Sequence, residues 1–153
     1  MVATSSGFAD EVMNIDDLTN TLELREPATT LQVTELVKAA GRALPPSYLA
    51  FLRRSNGAEG FVGGGGFVAL WPGDEVLSDA PGYRALAPWL LPFASDGSDS
   101  IFAFDLDSGQ GEDMKVVQTH LLDVGKKEME TARGRGFLTF LEALASENAE
   151  PAE

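Results

Sequence analysis

Hydrophobic residues along this chain switch from a helical to a strand-like rhythm near residue 57. Val12, Ile15, Leu18 and Leu22 recur at three-to-four-residue spacing, which predicts a helix over Asp10 to Leu24, ended by Pro27. Asn14, Asp16, Asp17 and Asn20 are poor helix formers and weaken it. Thr29-Thr30-Leu31-Gln32 has the form of a capping box, with Thr29 as N-cap and Gln32 three residues on. The helix it opens presents Val33, Leu36, Val37 and Ala40 on one side, and Gly41 suits its end. A third helix follows Pro45-Pro46, because a proline at the first turn sacrifices no bonded donor. Tyr48, Leu49 and Leu52 share its face and Phe51 flanks it. Arg53 and Arg54 lie at the negative end of its dipole, and Asn56-Gly57 reads as a left-handed stop.

Short apolar runs bounded by turns come next. Phe67–Trp71 is one, stopped by Pro72-Gly73. Leu90–Ala94 is another, and Pro92 within it predicts an edge strand or a strand start. Ser95–Ser100 forms a turn, and Ile101–Leu106 returns from it as a hairpin partner. Ser108–Gly111 makes a second turn before a strand over Lys115–Leu121. Phe137, Leu138, Phe140, Leu141, Leu144 and Ala145 trace a closing amphipathic helix. Helices, then neighbouring strands, then one helix imply a single α+β domain with a mostly antiparallel sheet. Residues 1–26 are expected to form an N-terminal arm and helix, loose over the first nine residues, 27–145 the domain proper, and 146–153 an acidic flexible tail.

Composition then narrows the function classes. The 153 residues suit one domain, and 44% hydrophobic with 23% charged residues argue against wholesale disorder. The absence of cysteine excludes disulfides, thiolate metal clusters and a cysteine nucleophile. No apolar run is long enough to span a bilayer and the N-terminus has no secretory pattern, so a cytoplasmic, membrane-free protein is expected. The net charge of −13 repels polyanions and disfavours nucleic acid, while favouring encounters with basic partners.

Candidate chemistry is thin. Gly63–Gly66 lacks the Lys-Ser/Thr pair and the following helix of a phosphate loop, so a turn is expected there. Counted from Asp105, an EF-hand would need glycine at position 110 and glutamate at 116, where Gln110 and Val116 stand. His120 is the single histidine, and no Gly-x-Ser-x-Gly elbow supplies a nucleophile for it. No catalytic, cofactor-binding or metal-ligating residue is therefore assigned. Trp71 and Trp89 are candidates for interface anchors or core packing.

In order along the chain stand Leu44-Pro45, Tyr48, Phe51-Leu52, Asn56-Gly57, Glu59-Gly60-Phe61, Leu70-Trp71, Asp74-Glu75, Tyr83, Leu91–Gly97, Phe102–Asp105, Val116-Val117 and Phe137–Leu141. This series resembles the SMI1/KNR4 (SUKH) family over roughly residues 27–145. Ser98-Asp99 stand where the family is usually glycine-rich, and Asp79-Ala80-Pro81-Gly82 stand shortly before Tyr83, where an asparagine is often found. The resemblance implies an α+β fold with no catalytic residues to carry over. It also implies a protein partner: many bacterial members are immunity proteins that bind and neutralise a cognate toxin, often a nuclease. Other members are regulatory scaffolds with an endogenous partner, which is the alternative reading. A basic toxin domain suits the acidity. The expected contact surface is the acidic, loop-rich side: Trp71, Asp74, Glu75, Asp79, Asp96 and Asp99.

Overall fold

A computed structural model describes residues 15–147; the expected N-terminal arm, Val12 and residues 148–153 lie outside them. Helix α1 covers Ile15–Thr19 and strand β1 Glu23–Leu24. Helices α2 (Thr30–Ala40) and α3 (Pro46–Arg54) follow, then strands β2 (Ala58–Phe61) and β3 (Phe67–Leu70). Helix α4 spans Gly73–Leu86. Strands β4 (Leu90–Ser95), β5 (Ser100–Asp105), β6 (Lys115–His120) and β7 (Thr131–Arg135) lead to helix α5 (Phe137–Ser146). The strands form one seven-stranded sheet in sequence order, every neighbouring pair antiparallel. This is the α+β architecture expected from the sequence.

Local chemistry explains most boundaries. The Thr29 capping box forms in full: the Gln32 N–H donates to Thr29 Oγ1 at 3.1 Å, and the Thr29 N–H donates to Gln32 Oε1 at 2.8 Å. Gly41 ends α2 at φ 71°, as its sequence position predicts. The α3 stop differs from expectation. Ser55 closes the helix in an extended conformation, and the left-handed residue is Gly57, which a side chain could not replace because its Cβ would meet the Leu70 carbonyl oxygen at 2.7 Å. On α3 the deeply buried residues are Tyr48, Phe51 and Leu52, with Leu49 only half-buried.

Three other expectations are corrected. The first helix stops at Thr19, and Glu23-Leu24 pair with β2 instead, through Glu23↔Glu59 and Leu24↔Ala58. Leu18 and Leu22 still enter the core. Pro92 does not mark an edge: β4 lies inside the sheet, and a register irregularity between Pro92 and Ala94 absorbs the missing donor. That irregularity also lets Phe93 and the adjacent Ala94 both enter the main core. Finally, Asp74, Glu75 and Asp79, expected on a loop-rich side, stand on a helix over residues 73–86.

The main core lies between one sheet face and helices α3 and α5. Tyr48 packs edge-on against Phe93, Phe104 and Phe137, while Phe93 and Phe104 stack at 4.1 Å. A second, smaller cluster contains Ala87, Leu90, Ala103 and Val117, with Trp89 and Val124 packed on it. Strand β5 shows why there are two: Phe102 and Phe104 alternate with Ala103, and the pleat sends them to opposite faces.

Candidate protein-binding surfaces

Helix α4 is built from signals that read locally as breakers. Pro72 precedes it and supplies no side-chain cap. The cap comes from the α3–β2 loop. Asn56 Oδ1 accepts the Gly73 N–H at 2.7 Å, and Asn56 Nδ2 donates to Asp74 Oδ1 at 3.1 Å. Asp74 and Glu75 in the first turn face the positive end of the dipole. Val76 and Ala80 are buried, while Pro81 is exposed despite its interior position. At the far end, Arg84 Nη1 donates to the Ala39 carbonyl at 2.9 Å and ties α4 to α2.

This construction leaves Asp74, Glu75 and Asp79 exposed on one helix. Trp71 is half-buried against the main core, and its indole stacks on Tyr83 of α4 at 6.2 Å. Burial pushes the Tyr83 phenol up, and the Asp79 carboxylate adds to the shift. Among the described residues, no lysine or arginine forms an ion pair with Asp74, Glu75 or Asp79.

Asp96 and Asp99 lie elsewhere. Ala69 pairs with Ser95, so the β4–β5 turn sits beside the start of β3, whereas Trp71 follows its end. The six residues expected to share a surface thus divide into two groups. Both turn acids also have structural duties. Asp96 Oδ1 accepts the Ser98 and Ser100 N–H groups at 2.9 and 3.2 Å. Asp99 Oδ2 lies 3.1 Å from His120 Nε2. Because His120 Nδ1 accepts the Leu122 N–H at 3.0 Å, Nε2 carries the proton given to Asp99. Both ring nitrogens are engaged in holding the turn after β6 to the β4–β5 turn.

The remaining motifs resolve into packing. Gly66 N–H donates to the Leu144 carbonyl at 2.7 Å. A Cβ on Gly65 would lie 2.5 Å from the Leu144 and Ala145 carbonyl oxygens. The glycine run therefore lets the backbone approach the C-terminal end of α5. Asp105 is buried; its Oδ1 accepts the Asp107 N–H at 3.0 Å, and Lys115 Nζ lies 3.9 Å from Oδ2. Among the described residues no three His, Asp or Glu side chains converge as a metal site would require. Trp89 packs on the second cluster, donating its indole N–H to Glu130 Oε2 at 2.8 Å beneath the Lys127 ammonium.

Sequence reasoning missed an aromatic pair at the tip of the β2–β3 hairpin. Phe61 and Phe67 are register partners whose rings meet at 5.3 Å, and Phe61 is 59% exposed. The pair becomes visible only once the strand register is known.

Helices packed on an antiparallel sheet, with exposed carboxylates on one helix and aromatics at the surface, place the chain in the α+β class. The chain belongs to the SMI1 / KNR4 family (SUKH-1), whose model matches residues 27–143. Domains of this family are immunity-protein-like and generally non-catalytic. No curated protein matches the chain. No helix among the described residues is long and apolar enough to cross a membrane.

Proposed function

We propose that this protein is an immunity-type binding domain that captures and neutralises a basic toxin domain, of which a nuclease is the chemical type best suited to it. The observation that carries the reading is the set of exposed carboxylates on α4, which form no ion pair among the described residues, in a chain of net charge −13. A nuclease must be basic to hold a polyanion, so the surface it offers is complementary to this one. Trp71, stacked on Tyr83 at the base of α4, is the anchor, and Asp74, Glu75 and Asp79 form the charged rim. Asp96 and Asp99 extend the attractive field from the other end of β3 and steer encounter.

Co-expression with the toxin encoded beside this gene tests the reading: cells survive with the intact protein, and the purified pair forms a complex. The combined Asp74→Asn, Glu75→Gln and Asp79→Asn substitutions slow association by about tenfold at low salt and leave dissociation nearly unchanged. Absence of binding or protection against any adjacent-gene toxin sinks the proposal. Recovery of an endogenous regulatory partner instead would support the scaffold alternative.

A further inference from the structure

The Phe61–Phe67 pair lies on a surface separate from α4. On β2, Glu59 and Phe61 alternate with the buried Ala58, and on β3, Phe67 and Ala69 alternate with the buried Val68 and Leu70. The register sets Glu23 opposite Glu59, Glu59 opposite Ala69, and Phe61 opposite Phe67. One side of this three-stranded edge therefore carries two aromatic rings and two carboxylates. A groove of about 360 Å³ runs between Thr21, Glu23, Glu59, Phe61 and Phe67. Phe67 also borders a second hollow of about 220 Å³, where Asp96, Gln118, Arg133 and Glu147 contribute polar groups.

Charge decides what such a groove accepts. Arg25 is 3.5 Å from Glu59 and Arg133 pairs with Glu147, but Glu23 and Asp96 make no ion pair among the described residues. Asp96 binds only backbone N–H groups of its own turn. A second copy of this chain would bring carboxylate against carboxylate, which like charges disfavour. An exposed phenylalanine beside unneutralised acids instead fits a cation-bearing segment with an apolar anchor. The groove opens next to β1, the outermost strand, whose far side has no strand partner among the described residues, so an extended segment can lie along it.

We propose that the β1–β3 face, centred on Phe61 and Phe67, is a second docking surface that takes an extended basic segment of a partner protein, with an aromatic or aliphatic side chain seated against Phe61. The proposal is independent of toxin capture at α4. Failure of the test below would refute this surface and leave toxin capture at α4 standing.

The test uses two synthetic peptides, one of alternating lysine and phenylalanine and one of alternating glutamate and phenylalanine, titrated into the isotope-labelled full chain. Amide chemical shifts supply the readout. The basic peptide should give saturable shifts at Glu59–Phe67 and Asp96–Gly97, weakening as salt is raised, while the acidic peptide gives none. Phe61→Ser, at an exposed position, should leave the circular dichroism spectrum unchanged and weaken binding at least about tenfold. Paired Glu23→Gln and Glu59→Gln substitutions should flatten the salt dependence. Shifts spread equally over Asp74–Asp79, unchanged binding by Phe61→Ser, or no saturable shift would each overturn the assignment. So would sedimentation as a dimer that Phe61→Ser converts to a monomer.

Discussion

The sheet's two faces do different work with the same strands. On one face Phe93, Phe102 and Phe104 interlock with Tyr48, Phe51, Phe137 and Phe140 of α3 and α5. On the other, Ala103, Val117 and Leu90 carry a thin layer roofed by Ala87, Trp89 and Val124. Near that layer Leu86 and Leu122 stay 62% and 81% exposed, so the roof does not extend over them. The contrast teaches where specificity of fold resides: large rings lock the first face, whereas the second is a thin layer of small and aliphatic side chains.

The sharpest way to break this contrast is Phe93→Ala. Phe93 is fully buried and touches the rings of Tyr48, Phe104, Phe137 and Phe140. Its loss should cost about 3–5 kcal/mol, since the facing helices cannot collapse into the hole completely. Val117→Ala on the second face removes two methyl groups and should cost roughly half as much. Denaturant unfolding of both variants measures the difference, and equal losses would erase the distinction between the faces.

Gly65→Ala attacks the same core from its end. The new Cβ would sit 2.5 Å from two α5 carbonyl oxygens and push the helix away. A loss of about 1–3 kcal/mol is expected, with faster hydrogen exchange at the α5 C-terminus. An unchanged melting temperature would show that α5 is free to shift.

How much of this was legible beforehand follows the range of the signals. The Thr29 cap, the Pro45-Pro46 helix start, the hairpin around Asp96–Gly97 and the α5 stripe depend on residues within one or two turns of each other, and all were readable. Helix α4 was not, because Pro72, Pro81 and Gly82 read as breakers while its cap is Asn56, seventeen residues away in the α3–β2 loop. Strand β7 escaped because Thr131-Ala132-Arg133-Gly134-Arg135 is polar and lies at the sheet's edge, with nothing apolar to bury. The acids of the candidate surface were visible as charge. Their division between α4 and the β4–β5 turn depended on register, as did the Phe61–Phe67 pair.

Tyr48→Phe refines the comparison from the opposite direction. The Tyr48 hydroxyl is buried in the aromatic core, has no hydrogen-bond partner among the described residues, and has its pKa pushed well up by burial. Removing it should stabilise the protein by about 1 kcal/mol, or about 3 °C in Tm for a chain of this size. A destabilised variant would mean that the hydroxyl has a partner in solution and that the main core is wetter than its packing suggests.

The smallest expected effect belongs to the shallow face, at Glu130. Burial holds its carboxyl above the usual range and Asp105 adds to this, while the Trp89 indole, Lys127 and Lys115 pull it back. The folded state therefore binds this proton more tightly than the unfolded chain does. The contribution is fully present below the unfolded value of about 4.3, and stability falls as pH rises through the window up to the folded value. Glu130→Gln keeps an oxygen to accept the Trp89 N–H but removes the charge. The melting-temperature gain of the variant over the parent should be larger at pH 7 than at pH 4, with the tryptophan emission nearly unchanged. A gap that stays constant across this range would show that the layer over β5 and β6 opens readily enough to leave Glu130 in water. The second face would then be an open surface rather than a thin core.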